Sequence, residues 1–132
     1  MNIAKLAACS VLIAALGSGF AYAQSDMDKL TRARLAAIDG DHATCAKLAD
    51  EARRGPHAVW QAHQIYATCQ AFVMEAQKGK IPADAYIAGL NKSIDALHFL
   101  LATPGIINSE EQRGSVEFVI EEYEKRIAKA KG

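Results

Sequence analysis

Four histidines, three cysteines and one tryptophan are the side chains of this 132-residue chain with the widest chemical reach. The histidines are His42, His57, His63 and His98. On a helix, His57 and His63 stand about 600 degrees apart and so point to different faces. The His-Glu-x-x-His spacing that sets two imidazoles on one zinc ion does not occur. A metal site would need His63 or His98 to converge with a carboxylate from another helix, such as Glu75 or Asp95. His42 and His57 lie near helix starts and are expected at the surface. Neither a Cys-x-x-Cys pair for redox work nor a Cys-x-x-Cys-His haem motif is found. Glycine-rich phosphate loops and a Gly-x-Ser-x-Gly nucleophile turn are missing as well. Most glutamates fall in the last helical segment, where their spacing fits a solvated face. The expectation is a non-catalytic chain with no cofactor and no bound metal.

The cysteines sort by position. Residues 1–23 read as a signal peptide. Lys5 is the one charge before Asp26, Leu6 to Phe20 is apolar, and Ala21-Tyr22-Ala23 is a small-x-small cleavage site. Gly17, Ser18 and Gly19 interrupt the run, which is shorter than the roughly 20 apolar residues a spanning helix needs. Leu6-Ala7-Ala8-Cys9 matches a lipobox. Cleavage there would leave almost no apolar segment for export, so Cys9 is expected to leave with the leader. The mature chain, residues 24–132, is then one domain in the periplasm or outside the cell. It is expected to have no stable membrane insertion.

Cys45 and Cys69 remain, and in an oxidising compartment a disulfide is the default. They lie on either side of Gly55-Pro56, the expected turn between two helices. In an antiparallel hairpin, residues at such distances from the turn meet at similar height, because each residue rises about 1.5 Å. Chain entropy assigns a cross-link of this span about 3.5 kcal/mol.

The elements that position these groups are helices. The first is predicted over Asp26 to Asp39, with Leu30, Ala33 and Ala37 as its stripe and Leu35 and Ile38 widening it. Gly40-Asp41 breaks it, and Asp41 is the expected N-cap of a second helix reaching Arg54. Cys45, Leu48, Ala49 and Ala52 form the second stripe. A third helix, His57 to Lys78, carries Val59, Ala62, Tyr66, Cys69, Val73 and Ala76, broadened by Ile65 and Phe72. So wide a face implies more than one neighbour. Pro82 opens a fourth helix with Ile87, Leu90, Ile94, Leu97 and Leu101 inward. Asn108, with Glu111 in reciprocal position, is the expected cap of a fifth. That helix buries Val116, Val119, Ile120, Tyr123 and Ile127. Glu121–Lys125 and Glu122–Arg126 are its expected ion pairs. No strand is expected. The fold class is all-α: an antiparallel bundle or short hairpin array of about five helices with one disulfide.

The run Gly40-Asp41-His42-Ala43-Thr44-Cys45, followed by Ala49, Ala52 and Pro56, resembles the second helix of a tetratricopeptide repeat. The resemblance covers about 20 residues from Gly40 to Pro56. Cys45 stands where the family has alanine, and His63-Gln64 stands after Trp60 where the family has Leu-Gly. The pattern does not recur in register. The resemblance implies stacked helical hairpins of the kind that bind proteins or peptides.

Fifteen basic and fifteen acidic residues cancel, which argues against nucleic acid as a partner. The candidate interaction patch is His57, Trp60, Gln61 and Gln64. A second group is formed by Tyr86, Phe99 and the Gly105-Ile106-Ile107 segment. Aromatic anchors of this kind are common in binding hot spots. The function expected is a small binding or interaction protein whose partner is another envelope or secreted protein. Such a protein is an accessory subunit, an inhibitor or an immunity-type protein. The alternative is a periplasmic carrier of a small molecule or metal.

Overall fold

A computed structural model describes residues 25–55 and 58–132. The signal segment, Pro56 and His57 lie outside these. The described residues form five helices and no strand: α1 over 25–38, α2 His42–Arg53, α3 Trp60–Gln77, α4 Ala83–Ala102 and α5 Glu110–Lys131. Packing runs mainly between chain neighbours, α2 on α3, α3 on α4 and α4 on α5. This is the pattern of a generic helical array or bundle.

Three residues, 39–41, join α1 to α2. Gly40 adopts φ 80°, a left-handed conformation that costs glycine nothing. Its N–H donates to the Ala37 carbonyl and the Asp41 N–H donates to Ala36, which closes α1 as a Schellman motif. Asp41 also caps α2, accepting from the Thr44 N–H at 3.1 Å. That bond holds the Asp41 carboxyl below its ordinary pKa.

Cys45 and Cys69 form the disulfide, with Cα atoms 6.0 Å apart. Both half-cystines are buried. Around them sit Ala33, Ala46, Leu48, Ala49, Tyr66 and, from α4, Ala96. The Leu30, Ala52 and Ala62 side chains form a small cluster beside this one. The other half of the molecule is filled by larger side chains. Met74 and Tyr86 join Leu90, Ile94, Leu97 and Leu100 of α4, and Val116, Ile120, Tyr123 and Ile127 of α5.

The α3–α4 seam is close-packed. A Cβ on Gly89 would overlap the Met74 side chain, so only glycine lets that thioether lie against α4. The buried Ser93 hydroxyl donates to the Ala67 carbonyl at 2.8 Å, and Gln70 Nε2 donates to the Gly89 carbonyl. α3 is therefore buried on two sides. One carries Ala62, Tyr66 and Cys69 toward α2, and the other carries Ala67, Ala71 and Met74 toward α4.

Several boundaries and faces differ from expectation. α3 begins at Trp60, not His57, because Val59 is extended and packs its side chain on the Leu30–Ala62 cluster. Pro82 is the residue before α4, not its first. The cap of α5 is Ser109, which accepts from the Gln112 N–H, while the Gln112 side chain accepts from the Asn108 N–H. The reciprocal motif is thus shifted one residue from Asn108 and Glu111. Arg126 reaches across to Glu75 of α3 at 3.5 Å, leaving Lys125 to pair with both Glu121 and Glu122. Leu35, Ile38, Phe72 and Ala76, which belong to stripes expected to be buried, are exposed, since none of the described helices covers those sides of α1 and α3.

Candidate functional site

Because packing follows chain order, α3 faces α1 on one flank and α5 on the other, and none of the described helices lies over it. A trough follows from this. Its α1 side is walled by Ala37, Ile38, Ile65 and Cys69, with Arg34 and Gln64 at the rim, and encloses about 410 Å³. Its α5 side, about 610 Å³, has Ala71, Phe72, Val119 and Tyr123 as its apolar wall. Thr68 borders both stretches, which adjoin there and together make up the groove along α3.

The groove has an apolar middle and charged ends. Ile38 is 80% exposed and Phe72 51% exposed. The Phe72 ring is held by His42, stacked on it at 4.4 Å and nearly parallel. Arg34 marks one end. At the other, Lys78, Arg126 and Lys129 outnumber Glu75 and Glu122. Glu75 is fixed twice, accepting from the Tyr86 hydroxyl at 2.6 Å and from Arg126 at 3.5 Å. Burial, with Glu75 beside it, pushes the Tyr86 phenol up to about 12. Tyr123 is also raised by burial.

A second concavity lies where the end of α2, the start of α3 and the end of α4 meet. Asp50 accepts from Arg53 Nε at 2.7 Å and pairs with Arg53 Nη2 at 2.6 Å and Arg54 Nη2 at 3.0 Å. Arg53 lies over the Tyr66 ring, 4.4 Å from its centre. The His63 ring packs against Phe99 at 5.1 Å. His63 is 2% exposed, and its Nδ1 meets no hydrogen-bond partner. Burial, reinforced by Arg53, holds its pKa below the ordinary histidine value.

The residues singled out in the sequence scatter over these features. Gln64 borders the groove, and Phe99 borders the second cavity together with Ile106. Trp60 packs on the large-residue core and Gln61 is half-buried. Tyr86 lies inside that core at 3% exposure. It is also about 20 Å from Phe99 along the same helix, at 1.5 Å per residue. His57 lies outside the described residues. The metal set considered for the sequence does not assemble: His98 is exposed, Glu75 is engaged with Tyr86 and Arg126, and Asp95 borders a space next to the second cavity that His63 does not line. Among the described residues no three His, Cys, Asp or Glu side chains are grouped to hold a metal ion. Sequence reasoning missed Ile38, Thr68 and Phe72 as groove residues, and Arg54 with His63 as neighbours. The signal for the first set was present: stripes on α1 and α3 too wide for their neighbours to cover.

No helix among the described residues is long and apolar enough to cross a membrane. Compared with protein-family models, curated proteins and solved structures, the chain matches none.

Proposed function

We propose that this chain is an exported, non-catalytic binding protein of the periplasm. In this reading it takes an amphipathic segment of another envelope protein into the groove along α3. The observation that carries the reading is the groove itself, whose apolar floor is left open by the described helices, none of which lies over that side of α3. Exposed apolar side chains along a trough are the usual grip on a helix or extended peptide. The excess of Arg34, Lys78, Arg126 and Lys129 at the ends favours a segment with apolar anchors and acidic flanks. The resemblance of Gly40 to Pro56 to a tetratricopeptide hairpin, a family of peptide-binding scaffolds, points the same way. Export is supported by the leader pattern of residues 1–23 and by the Cys45–Cys69 bond, which suits an oxidising compartment.

The test is site-specific photocrosslinking in cells that export the chain. A crosslinker at position 72 should capture a discrete partner. The captured peptide should be amphipathic and acidic, and Ile38→Asp should abolish capture. A crosslinker at Lys92, on the opposite side, should capture nothing in common with it. Equal capture from both positions, or none from position 72, rejects the groove as the binding surface.

A further inference from the structure

The groove along α3 also specifies what kind of segment fits it, an inference that rests on the reading above. Ile65, Thr68, Phe72 and Glu75 follow one another at steps of three and four residues and so share one face of α3. All four line the trough. That spacing is the seam one helix offers to another. The flanking walls, α1 and α5, are helices too, with their backbone groups bonded internally. An extended segment laid here would bring its own N–H and C=O groups against apolar side chains. It would find no sheet edge to pair them, for no strand occurs among the described residues. A helix has no such cost, because its own ladder satisfies those groups.

The two stretches differ in what they can grip. The α1 stretch, about 410 Å³, has an aliphatic wall of Ala37, Ile38 and Ile65. The α5 stretch is larger, about 610 Å³, and Phe72 stands in it with its ring held by the stacked His42. An aliphatic anchor fits the first and an aromatic one the second. Ile65 and Phe72 are seven residues apart on α3, about 10.5 Å at 1.5 Å per residue. The charges set the flanks. Arg34, Lys78 and Lys129 line the trough, and none of them pairs with a carboxylate among the described residues. Arg126 and Glu75 pair with each other, and Glu122 pairs with Lys125. We infer that the groove takes an α-helix with an aliphatic and an aromatic anchor seven residues apart on one face and acidic residues beyond both. The trough follows α3 from Gln64 to Lys78, about 21 Å, or about four turns of such a helix.

The experiment is fluorescence anisotropy of a labelled, alanine-based peptide of about 18 residues, long enough for those turns, titrated with the oxidised protein. The probe carries Leu and Phe seven apart, with two glutamates beyond each. Expected is saturable binding, weakened about tenfold by Ile38→Asp and by Phe72→Ala. Both positions are exposed, so circular dichroism should be unchanged. A probe with its anchors five apart, on opposite sides of the helix, should bind about tenfold more weakly, and so should one with lysines in place of the glutamates. A proline midway between the anchors, which bars the helix, should abolish binding. Equal binding of the proline probe overturns the inference by making the occupant extended. Equal binding of the probe with anchors five apart overturns it by removing the register. If no probe binds at about 1 mM protein while a crosslinker at position 72 still captures a partner in cells, the groove stands and the helical occupant falls. If neither occurs, both fall.

Discussion

The half of the molecule built from α1, α2 and the adjoining side of α3 is packed with alanines around a cystine, whereas the half built from α3, α4 and α5 is packed with leucine, isoleucine and tyrosine. Burial of an isobutyl or larger side chain contributes about 1.5–3 kcal/mol, and a methyl much less. The first half therefore gains little from apolar contact. Its cross-link, at about 3.5 kcal/mol by the chain-entropy argument, supplies the difference. Small side chains let α2 and α3 lie close, and closeness is what the disulfide requires. Two ways of holding helices together meet on α3, one covalent and one dispersive.

Removing the bond breaks the comparison most directly. Cys45→Ala with Cys69→Ala should lower stability by about 3.5 kcal/mol in urea unfolding. Amide exchange should rise first in α1 and α2 while α4 and α5 stay protected. Equal loss of protection in all five helices would show that the halves are one cooperative unit. Leu97→Ala is the converse. The side chain is 1% exposed, and its truncation should cost about 3 kcal/mol, read from the urea midpoint. Protection should be lost from α4 and α5 with α2 least affected. The smallest effect lies at the seam, where His63 of α3 meets α2 and α4. Its folded pKa is lowered by burial and by Arg53, so the unfolded chain binds the proton more readily. The associated stability is complete above the ordinary value of 6.5 and is lost as pH falls below it. Urea midpoints measured at pH 7.5 and pH 5.5 should show this decline, and His63→Gln should flatten it.

Much of this organisation was legible in the residues. Five helices, the Gly40-Asp41 break and the Cys45–Cys69 pairing follow from period, turn chemistry and the spacing of the two cysteines about Gly55-Pro56, and the structure has all three. Capping residues were misplaced by one at Asn108 because Ser109 with Gln112 offers the same chemistry in the next register. The groove was less legible. Periodicity identifies an apolar face but not whether a neighbour covers it, so Ile38 and Phe72 read as core. The relation of Arg54 to His63 depends on how α2 meets α3, and residues far apart in sequence carry no period that announces it. Arg126 shows the same limit: its local partner Glu122 was the expected one, and the tertiary partner Glu75 won.

Asp41 ends one helix with its N–H and starts the next with its carboxylate. With both duties on one residue, the joint has no spare length and behaves as a fixed elbow. The tilt of α1, and with it the spacing between Ile38 and Ile65, is held at this end by that elbow and further along by the burial of Ala33 and Leu30. Lengthening it by a single residue would assign the two duties to different positions and loosen the Ile38 end of α1. The width of the trough is thus adjustable from a place that touches no ligand.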